Sequence, residues 1–103
     1  MGIKVTYWTK AETPSEPQLR DYFQHEGLRP YAWTNGPFDY YPTHDHHYDK
    51  VIYVLHGSIT WIIPGTGQEL ETFPGDRLDL PAGTPHAARV GAQGVTCLEA
   101  HRD

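Results

Sequence analysis

The segment Gly75-Asp76-Arg77-Leu78-Asp79-Leu80-Pro81-Ala82-Gly83-Thr84-Pro85-His86 decides the fold. Leu78 and Leu80 are two residues apart, so they share one face of a short strand. Pro-Ala-Gly breaks this strand, and a glycine near each end of the segment relieves the backbone where the chain reverses. His86 begins the next strand just after the turn. The segment therefore predicts two β-strands joined by a tight turn.

Turns of this kind recur along the chain, where nine Pro and ten Gly fall between short apolar segments. Such spacing is typical of all-β domains. One helix is predicted over residues 15–26, because a capping box at 15–18 precedes apolar residues at helical spacing and Gly27 follows them. A single antiparallel sheet would leave long edges, so we expect it to close into a barrel or a double-sheet jelly roll. The predicted strands are residues 31–34, 50–55, 58–63, 69–73, 77–80, 85–90 and 95–100.

Length and composition limit the classes of protein that the chain can represent. Its 103 residues predict one domain, 1–103, with an N-terminal strand and helix in residues 1–30 and the barrel in 31–100. The formal net charge is −5, and no stripe of Lys and Arg predicts a nucleic-acid partner. No apolar run is long enough to cross a bilayer, and no apolar signal-peptide core is present. Cys97 is the single cysteine, which excludes an intrachain disulfide and favours a cytoplasmic location.

Three of the seven histidines lie in the segment Thr43–Lys50, which reads THDHHYDK. In a strand, residues two apart point the same way, so His44 and His46 can present both imidazoles to one interior point. A third nitrogen ligand has to come from another strand, and His86 is the candidate. Neutral imidazole suits Zn, Cu, Fe and Ni, and three such ligands leave coordination positions open for water or substrate.

These two segments resemble the two motifs of the cupin superfamily. The first motif is H-x-H, three or four residues, Glu, six residues and Gly; here His44-Asp45-His46 is followed by Lys50 in place of Glu and by Gly57. The second is Gly, five residues, P-x-G, two residues, His, three residues and Asn. The segment 75–86 matches it, and Val90 replaces the Asn. The resemblance covers residues 44–90, about half of the chain.

The resemblance implies a small single-domain cupin. Its fold would be all-β, a double-stranded β-helix (the cupin jelly-roll barrel), with one short N-terminal α-helix. One divalent transition metal (Fe, Mn, Zn, Ni or Cu) is expected at His44, His46 and His86, with a small-molecule ligand or substrate in the barrel. A homodimer is expected as well, because cupins commonly pair through sheet edges.

Lys50 is the departure from the family pattern that matters most. Alternation places it inward with Ile52 and Val54, where a buried cation needs a partner. Glu99 and Asp79 are the candidate partners. Alternatively, the side chain extends its ammonium group to solvent at the mouth of the barrel.

Three arrangements of the site remain open. The first is a three-histidine centre, like that of some cupin dioxygenases, with Lys50 turned aside or paired with a carboxylate. In the second, a neighbour replaces the missing Glu, either Asp49 through a β-bulge or His47 if the loop curls inward. In the third, the pocket holds no metal and Lys50 binds an anionic ligand.

Aromatic residues accompany the histidines in the sequence. They suit a small-molecule pocket around a few polar groups, and they equally suit the core of a small protein. The residues are Trp33, Tyr40, Tyr41, Tyr48 and Trp61. His56 is expected to be solvated at a turn and His101 to lie in a mobile C-terminal tail, so neither is assigned a function.

Three functions from different classes fit these observations. The first is a metal-binding cupin that acts on, or binds, a small organic molecule. The second is a non-catalytic metabolite-binding or sensor cupin with an altered or metal-free site, which the missing Glu and Asn favour. The third is a dimeric protein with a vestigial site. The sequence does not decide whether the chain is an enzyme.

Overall fold

A computed structural model describes residues 2–102 of the chain. Over this range it contains seven β-strands and one α-helix. In chain order these are β1 (Lys4–Thr6), α1 (Glu16–His25), β2 (Tyr31–Asn35), β3 (Tyr40–His44), β4 (Asp49–Ile63), β5 (Gln68–Thr72), β6 (Arg77–Leu80) and β7 (His86–Arg102). The predicted domain limits, residues 1 and 103, lie outside the described residues.

Two long strands, β4 and β7, organise the antiparallel sheet. The strand order is β1-β6-β4-β7-β2, with β3 also paired to β7 and β5 also paired to β4. The first part of β4 pairs with β6 and its last part with β5. Likewise, the first part of β7 pairs with β3 and a later part with β2. Each long strand thus serves two halves of the sheet, and the predicted all-β double-stranded β-helix with one N-terminal helix is confirmed.

Two turns predicted from the sequence are wrong. Separate strands at 50–55 and 58–63 are in fact the single strand β4, and those at 85–90 and 95–100 are both part of β7. The pairing between β4 and β7 shifts register between Val54 and His56 and again between Gly57 and Ile59. Such β-bulges bend a strand without ending it, so the glycine here marks a bend rather than a turn.

Strand β3 is missing from the prediction. It contains Pro42, which lacks the backbone N–H of a sheet donor and argues against a central strand. In the structure β3 pairs with β7 alone. An edge strand tolerates proline because one of its sides needs no hydrogen bonds.

Helix α1 lies within one residue of its predicted limits. The side chain of Ser15 caps it by accepting a hydrogen bond from the backbone N–H of Gln18 at 3.2 Å. Leu19 and Phe23 are fully buried against the sheet, and the ring of Phe23 meets that of Tyr53 edge-on at 5.3 Å between centroids. Within residues 2–102, no helix has the length and hydropathy needed to span a membrane.

The two faces of β4 serve two apolar clusters. Val51 and Tyr53 pack with α1 in one cluster, whereas Ile52 and Val54 belong to the other, inside the barrel. Side chains alternate along a strand, so Lys50 falls on the interior face, as predicted, and it lines a cavity together with Ile52.

Glu26, just after α1, ties the helix to the sheet. Its carboxylate accepts hydrogen bonds from Arg77 of β6 and Arg102 of β7. The hydrogen bond from Arg77, followed by the charges of both arginines, outweighs burial and holds the pKa of Glu26 below its ordinary value. A carboxylate whose pKa is depressed by folding stabilises the folded state at pH values above its unfolded-state pKa of about 4.3. This stabilisation is lost as the pH falls through the folded-state pKa.

We therefore expect Glu26→Gln to lower the free energy of unfolding by about 1 kcal/mol at pH 7 and by clearly less at pH 3. Urea denaturation at both pH values measures this difference. Glu71→Gln is the matched control, because Glu71 is an exposed carboxylate on β5, and it should change the free energy little at either pH. An equal loss for Glu26→Gln at both pH values would contradict the ionic role.

Candidate metal centre

The three histidines selected from the sequence come together in space. One nitrogen from each of His44, His46 and His86 lies within 4.8 Å of the other two. The ring centroid of His44 is 4.8 Å from that of His46 and 4.4 Å from that of His86. The ring centroids of His46 and His86 are 5.5 Å apart. Within residues 2–102, this is the one group of metal-ligating side chains found at such spacing.

Strand pairing and a turn position these side chains. His44 ends β3 and His86 begins β7, and the two residues are partners in the ladder. His46 lies in the loop after β3, so the predicted strand alternation is wrong for this residue. Its backbone carbonyl instead accepts a 2.8 Å hydrogen bond from the N–H of Gly83. The Pro-Ala-Gly turn thus fixes the backbone of His46 through a hydrogen bond, and it leads into the strand that begins with His86.

Hydrogen bonds leave the same nitrogen of each ring for a ligand. The Nδ1 atoms of His44 and His86 lie 2.7 and 2.8 Å from the carbonyl oxygens of Pro42 and Thr84. A carbonyl can only accept, so both Nδ1 atoms carry the proton and both Nε2 atoms keep a lone pair. The same second-sphere contact orients histidines that bind metals.

His46 supplies the strongest test of whether a metal fits. Its Nδ1 is 3.3 Å from the Tyr48 hydroxyl, whereas its Nε2 is buried without a hydrogen-bond partner among the described residues. A buried polar atom left unsatisfied costs about 1–3 kcal/mol. A metal ion bound by all three Nε2 atoms would satisfy it, so this donor set fits a divalent transition metal.

The electrostatic environment favours the neutral, metal-binding form of His46 and His86. Burial lowers the pKa of His46, and the nearby ammonium of Lys50 and the neighbouring rings of His44 and His86 lower it further, because each disfavours a second positive charge. Burial also lowers the pKa of His86, and the opposing hydrogen bond to the Thr84 carbonyl does not restore it. Metal binding requires neutral histidine.

Lys50 forms an ion pair with Glu99. Its Nζ lies 3.2 Å from Oε2 of Glu99, and the two side chains are 12% and 4% exposed. Of the two partners proposed from the sequence, Glu99 is therefore confirmed. Asp79 instead accepts hydrogen bonds from Arg77 at 2.9 Å.

Glu99 is the centre of a polar network that sequence reasoning missed. Its carboxylate accepts hydrogen bonds from the Tyr31 hydroxyl at 2.6 Å and from Trp33 Nε1 at 3.1 Å, and His101 Nε2 lies 2.6 Å away. Burial acts to raise the pKa of Glu99, but the contacts with Tyr31, His101 and Lys50 outweigh it and hold the pKa below its ordinary value. Glu99 is therefore a carboxylate.

His101 is also ordered, contrary to the predicted mobile tail. Strand β7 continues to Arg102, and the ring of His101 stacks on that of Tyr48 with centroids 4.1 Å apart. A usable signal was present in the sequence. Cys97, Glu99 and His101 alternate along one strand, so an inward Cys97 places both polar residues on the interior face.

Two other candidate ligands lie outside the histidine cluster. His47 is exposed. Asp49 accepts a 2.7 Å hydrogen bond from the backbone N–H of Ala82, which ties β4 to the Pro-Ala-Gly turn. His56 is exposed, as expected.

A cavity of about 340 Å³ opens beside the histidines. Part of its wall is aromatic or apolar, and the rest consists of the histidines with Lys50 and Glu99. The aromatic and apolar wall residues are Tyr31, Trp33, Tyr41, Ile52, Trp61 and Ala88. Trp33, Tyr41 and Trp61 thus belong to a pocket, whereas Tyr40 is exposed.

No protein-family model matches the sequence, and no significant match exists among curated proteins. Solved structures do resemble it. A cupin superfamily protein from Desulfitobacterium hafniense DCB-2 aligns with a TM-score of 0.62 and 13% identity over 96% of this chain and 75% of its own. The chain has the fold of a small cupin.

Two enzymes are more similar to this chain in sequence. The DMSP lyase DddQ from Ruegeria pomeroyi DSS-3 and the polyketide cyclase RemF from Streptomyces resistomycificus are each 28% identical over 74% of the chain, with TM-scores of 0.66 and 0.63. The aligned region makes up 38% of the lyase and 55% of the cyclase. This chain therefore corresponds to part of each longer protein.

Proposed function

We propose that this cupin binds one divalent transition metal through His44, His46 and His86 and holds a small organic molecule in the adjoining cavity. One observation carries the proposal: the three imidazoles converge with their Nδ1 atoms already in polar contacts. The buried Nε2 of His46 adds direct support, because no protein group among residues 2–102 satisfies it.

The chain's own residues divide the tasks of such a site. The carbonyl groups of Pro42 and Thr84 fix the orientation of two rings, and burial lowers the pKa of His46 and His86, which favours their neutral forms. The aromatic wall excludes water and contacts the apolar part of a ligand. When bound, the metal would supply Lewis-acid or redox chemistry at the coordination positions that three ligands leave open.

The similar structures do not select a reaction. The two enzymes that share 28% identity are named as a lyase and a cyclase. Sites on one fold support different chemistry. The proposal therefore extends to the metal and the cavity, and a dioxygenase-like reaction stays a prediction from the resemblance of the three-histidine pattern.

A second candidate function is a non-catalytic metabolite-binding cupin. Lys50 occupies the position where the cupin motif has a carboxylate metal ligand, so that ligand is missing. Its ion pair with Glu99 holds a cation at the cavity wall instead. In this case the cavity binds its ligand through Lys50 and the aromatic wall, and no metal is needed.

Metal content distinguishes the two candidates. Untagged protein, purified without a nickel column, is incubated with each of Fe, Mn, Zn, Ni and Cu, desalted and analysed by mass spectrometry. About one equivalent of at least one metal is expected in the parent. We expect His46→Ala and His86→Ala to lose it and to lose any rise in melting temperature that the metal produces.

His47→Ala is the matched control. It removes an exposed histidine from the same segment and should leave metal content unchanged. Circular dichroism establishes that each variant is folded. No metal in the parent with any of the five ions, or an equal loss in His47→Ala, would overturn the metal proposal and favour the second function.

A further inference from the structure

Lys50 is the one Lys or Arg side chain among the described residues that line the cavity. An ammonium group has three N–H donors, and within residues 2–102 one ionic partner, Glu99 Oε2, contacts Nζ. Glu99 itself is satisfied by further contacts with Tyr31, Trp33 and His101. The hydrogen-bond donors of this ion pair that remain available to a ligand are therefore the N–H groups of Lys50.

We propose that the cavity binds a small carboxylate, with its anionic group against Lys50 and its apolar body among the aromatic side chains. Glu99 is the partner of the same ammonium group within the protein and lies 3.2 Å from it. A single cation matches a single carboxylate, and charge-assisted hydrogen bonds of this kind are about twice as strong as neutral ones.

The aromatic part of the cavity wall defines the rest of the ligand. Trp33, Tyr41 and Trp61 offer flat apolar surface, which fits a planar or aromatic body. This inference rests on the proposed function, since a divalent ion on three neutral imidazoles would keep its full charge and would also favour an anionic ligand. Lys50 would then share the carboxylate with the metal centre.

The test compares ligands of the same shape and different charge. Benzoate, 2-hydroxybenzoate and phenylacetate are titrated into the protein beside their neutral amides, with and without one equivalent of Zn²⁺, and tryptophan fluorescence reports binding because Trp33 and Trp61 line the cavity. We expect the Zn²⁺-loaded parent to bind at least one carboxylate about tenfold or more tightly than its amide. A smaller preference in the same direction is expected without Zn²⁺.

Two variants move the preference in opposite directions. Lys50→Met should remove most of it, whereas Glu99→Gln should increase it, because it removes the carboxylate that competes with the ligand for Nζ of Lys50. Lys50→Arg, which retains the cation, should restore it. Lys4→Met is the control for net charge, since Lys4 is exposed on β1, and it should leave the preference unchanged.

The outcomes separate this inference from the metal proposal. If Zn²⁺ binds as expected but every carboxylate binds no tighter than its amide, or if Lys50→Met keeps the full preference, the role of Lys50 is wrong and the metal centre stands. If Zn²⁺ fails to bind, yet the preference persists in the metal-free protein and is lost in Lys50→Met, the metal proposal fails and the carboxylate site stands.

Discussion

Gly57→Ala is expected to unfold the protein or to lower its free energy of unfolding by about 4 kcal/mol or more. A Cβ atom at this position would lie 2.0 Å from the carbonyl oxygen of Gly94 and 3.1 Å from the Cα of Val95. Both atoms belong to the backbone of β7, so they cannot move without breaking the pairing between β4 and β7. Gly57 also has a φ of 76°, which adds about 1–3 kcal/mol of backbone strain to the steric overlap. Urea denaturation followed by circular dichroism measures the loss.

Gly67→Ala separates the two causes. Gly67 has a similar φ of 70°, but nothing lies within 4 Å of its added Cβ. It should therefore lose only the cost of the left-handed backbone, about 1–2 kcal/mol. A loss for Gly57→Ala no greater than for Gly67→Ala would show that the close approach of β4 and β7 contributes nothing.

The same glycine shows which parts of the fold could be predicted from the sequence. Gly57, Gly75 and Gly83 all have positive φ, and a conformation that few other residues adopt leaves a mark in the residue type. The pattern of short strands and turns predicted a barrel or a jelly roll, and the spacing of these glycines relative to His44 and His86 carried the resemblance to the cupin motifs, which implied residues that the structure brings together. A backbone conformation or a ligand position that requires one residue type can therefore be predicted from the sequence.

Strand pairing is less visible. His56-Gly57 was interpreted as a turn because a glycine between two apolar segments suits either a turn or a bulge. The partner strand decides between them, and it lies 38 residues further on, with Gly57 paired to Val95. His46 was correctly predicted to lie near His44 and His86, but strand alternation was the wrong explanation. His46 lies in a loop that a hydrogen bond from Gly83 holds in place.

The partner of Lys50 was predicted only as one of two carboxylates. Asp79 and Glu99 each alternate with apolar residues, so each could face inward. In the structure, Asp79 is the ladder partner of Val51, so it lies on the face of the sheet opposite to Lys50 and contacts Arg77 there. Glu99 is the partner of Ile52 and shares the interior face with Lys50. The register of β4 against β6 and β7 decides which carboxylate shares a face with Lys50, and no short stretch of sequence contains that register.

The second large effect is expected at the ion pair itself. Removing one partner of a buried ion pair leaves an uncompensated charge, at a cost of about 3–5 kcal/mol in well-buried cases. The two losses should be unequal, because Glu99 keeps contacts with Tyr31, Trp33 and His101, whereas Lys50 has no other ionic partner in residues 2–102. We expect Glu99→Gln to lower the free energy of unfolding by about 3 kcal/mol and Lys50→Met by about 1–2 kcal/mol.

A double-mutant cycle tests whether the two charges act on each other. The variant that combines Lys50→Met with Glu99→Gln should lose less than the sum of the single variants, with a coupling of about 1–3 kcal/mol. The matched control is the pair Arg89–Glu69, which has a separation of 2.9 Å but side chains that are 48% and 53% exposed, and its coupling should stay below about 1 kcal/mol. Additive losses at Lys50 and Glu99 would mean that solvent, rather than Glu99, compensates the ammonium charge. The cavity would then have no desolvated cation to offer a carboxylate, and the reason for proposing that ligand would be gone.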